Sequence, residues 1–477
     1  MIKLITLSLL CINIYALQDT NTTHVFTSLQ NDSLFHAQRE EGISVYDAIQ
    51  RAIAHSPKIK AANEVVLQDK EKLNEAKAYH LPTVDLTGDT GREIRQLKTD
   101  DSDPKVLAVT TTKSTYKKID VYFSINENLW AGGSIENSID EKDANLKASL
   151  FNYRDKLESL VEDTVNAYFQ VVYGEIALKI SKKNMKNYEK ILKIVTIKEK
   201  NGAATTGDVN FIQANVDNAR TELIQREKTL SDAKAMYEYL LQTKDKELMP
   251  YEVEFPLYSA DLNTSLNDAQ QYNAKLLAQR AYIKSTKLGF LASKGKFSPK
   301  IDLSLNAESR DQFDISTGQT NKLNALITFS YNLYNGGRDE ANAVRLLSKM
   351  REQKFLYQDI QRNLIFDIRV LNRSLSSLNQ SLALTQSEVL ASRKVVNSYW
   401  IAFQHGTQDL QALQLAQRNL NSAEQNYAKY KRDLILNNFS LMRKTGVLLK
   451  FIKLPYKKHA DEFHGSMNLF YGFEDLK

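Results

Sequence analysis

Seven histidines are scattered over 477 residues, and no nucleophile–base constellation stands out among them. His459 and His464, with Asp461 and Glu462 between them, have the residue types of a metal site, but they fall in a mixed C-terminal tail where solvated charge is the plainer reading. The pairs Gly132-Gly133 and Gly336-Gly337 are not phosphate loops, because no Gly-x-x-x-x-Gly-Lys followed by Ser or Thr is present. These residues point to no enzyme and to no cofactor. The net charge of +6 is spread along the chain and not gathered in a basic stripe, which argues against nucleic acid as a partner.

The elements that carry these residues are long. From Arg338 to His405 there is no glycine or proline, and turn residues stand at both ends, Asn335-Gly336-Gly337 before and Gly406 after. Inside, Leu364, Ile368, Leu371, Leu375, Leu378, Leu382, Val389, Val396, Tyr399 and Phe403 keep steps of four and three, broken only at Thr385 and Ser392. The spacing predicts a helical rod of roughly 100 Å. A second rod is expected over 134–201, ending at Asn201-Gly202, with shorter helices over 208–241 and 409–451.

Before each rod the period changes from 3.6 to 2. Val84 and Leu86, then Ile119, Val121, Phe123 and Ile125, alternate with polar residues, and the pattern predicts a hairpin over 82–130 with a polar loop at about 92–115. Ile301, Leu303, Leu305 and Ala307, then Leu323, Ala325, Ile327, Phe329, Tyr331 and Leu333, predict a second hairpin over 299–335. Trp130, Tyr331 and Tyr334, near strand ends, could form an interfacial aromatic girdle or simply pack.

The start reads as a signal peptide over 1–16, with Lys3, an apolar core, Ala16 as a cleavage residue and the sole cysteine, Cys11, inside it. Leu10 is bulky where a lipidated cysteine expects a small neighbour. Residues 17–41 read as a disordered arm, 42–242 as a first structural repeat, 243–264 as a linker with Pro250 and Pro256, 265–453 as a second repeat opening on a helix to about Lys294, and 454–477 as a loose tail. The repeats superimpose by spacing alone: Gly336 lies 204 residues after Gly132, and Gly406 lies 204 after Gly202. Mean hydropathy is −0.42, and no run of about 20 apolar residues follows the leader, so a membrane crossing would have to use strands. Four strands cannot close a barrel, so a membrane reading requires several copies; a soluble periplasmic coiled coil stays open on period alone.

The chain resembles the TolC family of outer-membrane efflux channels over roughly residues 42–452. Leu81-Pro82 and Ser298-Pro299 resemble its helix-to-strand junctions. Asn128-Leu129-Trp130-Ala131-Gly132-Gly133 and Asn332-Leu333-Tyr334-Asn335-Gly336-Gly337-Arg338 resemble its strand-to-helix signature. Gly207-Asp208-Val209 and Gly406-Thr407 resemble its two turns at the far end of the rods. The resemblance implies a mixed α/β membrane protein: a homotrimer joined in one twelve-stranded β-barrel, four strands per chain, continued by a long α-helical barrel. It implies outer-membrane lipid around the strands, a periplasmic adaptor and an inner-membrane ABC or RND pump. It places a latch carboxylate at Asp208, its basic partner at Lys431 with Arg432 beside it, and an acidic ring, if built, at Asp409, since Ala412 and Leu415 stand where ring aspartates would be. Phe403 and Gln408 replace a tyrosine and an arginine of that latch. Asp208 can equally be a helix cap. The Gly207 turn, Phe439-Ser440-Leu441-Met442 and Gly446-Val447-Leu448 look closest to type I protein secretion channels; drug or metal efflux is the alternative.

Overall fold

The computed structural model describes residues 42–99, 110–243, 258, 260–313 and 320–452. The expected leader, arm and tail, most of the linker, and His459 and His464 lie outside them.

Two halves of matching size make up the chain. In the first, α1 (Val45–His55) and α2 (Pro57–Ala78) lead to β1 (Thr83–Thr99) and β2 (Thr110–Trp130), then α3 (Ser134–Lys200) and α4 (Thr206–Leu241). In the second, α5 (Leu262–Tyr272) and α6 (Ala274–Lys294) lead to β3 (Lys300–Phe313) and β4 (Thr320–Ser330), then α7 (Arg338–Gln404), α8 (Leu410–Thr445) and a short α9 (Leu448–Ile452). Rods α3 and α7 have 67 residues each, and α4 and α8 have 36 each.

Capping residues set the helix starts. Ser44, Ser56, Asp261, Asn273 and Asp409 each accept a backbone N–H of the first turn, and Pro57 occupies the position where a missing N–H costs nothing. The same chemistry explains two departures from the sequence reading. The helix expected from 265 to 294 is two helices, because Asn273 ends α5 and caps α6 through Leu276 N–H. The helix expected over 409–451 breaks at Gly446, which adopts φ 77°.

The four strands form one antiparallel sheet in the order β1-β2-β3-β4, so the two hairpins join through β2 and β3 while β1 and β4 remain open edges. The loop expected at 92–115 is mostly strand: β1 continues to Thr99 and β2 begins at Thr110, paired rung by rung. Thr110, Thr111, Thr112 and Thr115 favour extended backbone without adding apolar alternation, which is why a hydrophobic pattern stopped short.

The main core sits at mid-height of the rods. Val45 and Ile49 of α1 pack with Leu157, Val161, Val165, Tyr168 and Val172 of α3, Tyr237 and Leu241 of α4, Val389 of α7, and Phe439 and Met442 of α8. A second core at the far end gathers Tyr188, Ile191 and Val195 of α3 with Ile212 and Val216 of α4, Phe403 of α7 and Leu413 of α8.

Gly446 shows how tightly the mid-height is closed. A Cβ there would overlap the carbonyl of Tyr272, at the α5–α6 break, whereas one at Gly202 meets nothing within 4 Å. Gly446→Ala therefore combines left-handed strain with a backbone clash and should cost about 3 kcal/mol or more, against about 1–2 kcal/mol for Gly202→Ala. Denaturant midpoints of the two variants check the ranking.

Candidate functional site

The sheet has two chemically distinct faces. On one, Val84 and Leu86 (β1), Ile119, Val121 and Phe123 (β2), Leu305 (β3) and Leu323, Ile327 and Phe329 (β4) are exposed, Leu323 by 84% and Ile327 by 72%. Water does not tolerate so continuous an apolar surface, but lipid requires it. The opposite face is a ladder of polar side chains. Asn128 donates to Asp302 (2.7 Å), Ser304 to Asn126 (2.9 Å) and Asn306 to Asn324 (3.1 Å). Its centre is Asp120, fully buried. Asp120 accepts from the Tyr122 hydroxyl (3.0 Å) and faces Arg310 (3.4 Å), which also pairs with Glu308 (2.8 Å). Trp130, Tyr331 and Tyr334 are all exposed where the sheet meets the rods.

Gly133 and Gly337 cap the rods in the left-handed region (φ 76° each), and Gly132 and Gly336 precede them at φ 62° and 61°. Pro82 and Pro299 stand directly before β1 and β3, after a turn at Tyr79–Leu81 and a short 3₁₀ turn at Gly295–Phe297. The first junction seats on the second half of its own chain: a Cβ on Gly132 would overlap Ser298, and one on Gly295 would meet Ser134 Cβ at 2.7 Å. Around Gly336 and Gly337 there is open space.

At the far tip, Gly202 (φ 73°) and Gly406 (φ 76°) end the rods in matching turns, Ala203 N–H bonding Lys198 O (2.8 Å) and Thr407 N–H bonding Ala402 O (3.0 Å). Gly207 is not a turn glycine: it lies inside the first turn of α4, which Thr205 caps. Asp208 closes a capping box, its carboxylate accepting Thr205 N–H (2.9 Å) and hydroxyl (2.8 Å). The backbone N–H of Thr205, and then its hydroxyl, hold the Asp208 carboxyl below the usual range. Asp409 caps α8 through Ala412 N–H (2.6 Å).

The structure does not bring Lys431 or Arg432 to Asp208. Asn215 bonds Gln414, which sets Asp208 level with Thr407, and Lys431 lies 24 residues further along, roughly 36 Å up the rod. Arg432 pairs instead with the adjacent Asp433 (2.7 Å). Sequence reasoning passed over the cations that do join helices near the tip. Lys198 of α3 donates to Phe403 O of α7 (2.7 Å) and lies 4.1 Å from the centre of its ring. Higher up, buried Glu424 of α8 holds Lys183 of α3 (3.5 Å) and Arg393 of α7 (2.9 Å).

Sequence reasoning also missed a buried ionic cluster at mid-height. Arg154 donates to Glu158 (2.9 Å) and to Gly446 O (2.5 Å), fixing the α8–α9 break, while Arg443 pairs with Glu162 (2.6 Å) and Asp155 (3.6 Å). Burial pushes the Glu158 carboxyl up to about 7, outweighing the downward pull of Arg154. No periodicity marks these residues, since arginine and glutamate four apart read as an exposed helix pair.

A sheet with a lipid face and a polar face, continued by rods capped at a distant tip, defines a subunit of a membrane-spanning conduit with a helical extension. The chain belongs to the outer membrane efflux protein family, which it matches over residues 48–238 and 265–447. It is thus an outer-membrane protein whose rods form a long periplasmic part. None of the curated protein sequences matches it. Its fold is similar to that of solved outer-membrane channels. CusC superimposes with a TM-score of 0.74 at 16% identity, covering 84% of this chain and 92% of that one. VceC of Vibrio cholerae gives 0.72 at 14%, covering 84% and 96%, and CmeC of Campylobacter jejuni 0.71 at 16%, covering 85% and 86%.

Two outcomes follow. The unfolded chain ionises Glu158 near 4.3, so the stability from its raised folded pKa is complete below that value and is lost as pH rises towards about 7. Thermal midpoints should fall across this window, and Glu158→Gln, which keeps the hydrogen bond to Arg154, should flatten the slope. At the tip, Thr205→Ala removes the capping box and should cost about 1 kcal/mol of local stability. Hydrogen exchange should report it as faster exchange in the first turn of α4, with α8 unchanged.

Proposed function

We propose that three copies of the chain close into a twelve-stranded barrel and form the exit duct of a tripartite export system, fed by a periplasmic adaptor and an inner-membrane pump. The matched edges carry this reading. Of the two helices α2 and α6, α3 packs on both, but its counterpart α7 packs only on α6 among the described residues. The missing neighbour is the α2 of another copy. Val344, Phe355, Phe366 and Val370 are exposed on α7, and Val65, Tyr79 and Leu81 are exposed on and after α2. The same operation joins β4 to β1 and fills the space around Gly336. In the closed trimer the Asp120–Arg310 face lines the lumen.

The cargo reading rests on sequence. The motifs that resemble type I protein secretion channels favour an exported protein, although Asp208 is accounted for by capping, and Phe439 and Met442 by core packing. The gate lies at the tip, where Lys198, Phe403 and the capped turns meet.

In planar bilayers, purified protein should give discrete single-channel steps, and native mass spectrometry should give three chains. A well-folded monomer without conductance overturns the reading. Lys198→Met should raise resting conductance severalfold and Lys431→Ala should leave it unchanged; equal effects would remove the tip as the gate. Deleting the channel should abolish secretion of a protein into the medium, and drug sensitivity without a secretion defect would assign it to efflux.

A further inference from the structure

Among the described residues, β1 and β2 outrun the rest of the sheet. β3 ends at Phe313, opposite Lys117, but the β1–β2 ladder continues for seven more pairs, from Glu93–Tyr116 to Thr99–Thr110. At about 3.4 Å per residue this ribbon extends roughly 24 Å. It points away from the rods, and in an outer-membrane protein with periplasmic rods that end faces the exterior.

Strand alternation continues the lipid face into the ribbon. The side carrying Val84, Leu86, Ile119 and Val121 goes on as Arg92, Ile94 and Gln96 of β1 and Lys117, Thr115 and Lys113 of β2, all six exposed. Apolar residues therefore give way to cations at the height where hydrocarbon gives way to headgroups. Arg92 and Lys117 are register partners, and directly opposed like charges destabilise a ladder unless an anion lies between them. Lys113 stands opposite Gln96, four rungs further out. The acids nearby do not occupy these rungs: Asp311 pairs with Ile119, two residues nearer the membrane centre, and Glu93 has the other parity of β1.

We propose that Arg92, Lys117 and Lys113 bind the phosphates of a phosphorylated glycolipid in the outer leaflet, tying the ribbon to the membrane surface. Charge selects an anion, and continuity with the lipid-facing band selects one carried by a lipid. A soluble polyanion would have no reason to meet this side and not the lumen side.

The test uses the full chain in detergent and native mass spectrometry with bisphosphorylated lipid A, the same glycolipid stripped of phosphate, and heparin as a soluble polyanion. Each basic residue at an anionic surface adds affinity, so lipid A should bind about tenfold tighter than the dephosphorylated form, or better. R92Q/K117Q should erase that preference while leaving dephosphorylated binding, which serves as the folding control, in place; R92K/K117R should retain it. Equal binding of both glycolipids, a preference that survives R92Q/K117Q, or binding of heparin in place of lipid A would overturn the proposal. Conductance of the same preparation is read separately, so a conducting channel without the preference removes the lipid site alone.

Discussion

An apolar sheet with two unpaired edges cannot rest in a membrane. Each edge N–H or C=O left facing hydrocarbon costs several kcal/mol, and β1 and β4 both end the ladder. The rest of the architecture follows from that constraint. The internal duplication makes the two edges near-copies of surfaces that already meet inside the chain, at β2 and β3. Whatever geometry joins one half to the other is therefore available to join one chain to the next. The glycines give the same message at atomic scale. A Cβ at Gly132 would meet the second half of its own chain, whereas one at Gly336 would meet nothing within 4 Å.

Charge holds this geometry where apolar packing cannot. On the polar side of the sheet a hydrophobic cluster would obstruct water, so Asp120, Tyr122, Glu308 and Arg310 cross-link β2 to β3 by hydrogen bonds. At mid-height Arg154 reaches the carbonyl of Gly446, so a charged side chain from one half fixes a backbone break in the other. Buried ion pairs add little net stability, but they admit few alternative registers. In long parallel rods, register is the quantity most easily lost.

Some of this was legible in the sequence and some was not, for separable reasons. The fold class was legible because its signals are periodic: the seam from Leu364 to Phe403, the alternation at Ile119–Ile125, and one spacing of 204 residues repeated between glycines. The β1–β2 overhang was hidden because threonine and lysine continue a ladder without apolar alternation. Asn273 and Gly446 were read through because helix periodicity persists across a single-residue break. Lys431 and Asp208 lie apart within the chain because their heights along the rods differ. A position carried over from a motif has no register along the rod, whereas bonds such as Asn215–Gln414 and Asn421–Glu222 supply one. Lys198 and Glu424 went unnoticed because a lone charge on a rod reads as solvated.

The two ends of the rods are held by interactions of different kinds, and this bears on where motion is possible. At mid-height, Gly446 is enclosed by backbone, Arg154 and Glu158 are buried, and α1, α3, α4, α7 and α8 share one core. At the tip, Gly202 and Gly406 have open surroundings, the caps at Thr205 and Asp409 are exposed, and the core is small. Caps and single cation–aromatic contacts are worth about 1 kcal/mol each, against several for a packed core. The tip is therefore the part that a partner can rearrange while the waist and sheet stay fixed, because local stability falls with contact density along the same rods. The proposed duct, sealed in lipid and opened at its inner end, would need that gradient, and the distribution of buried residues along α3, α4, α7 and α8 has it.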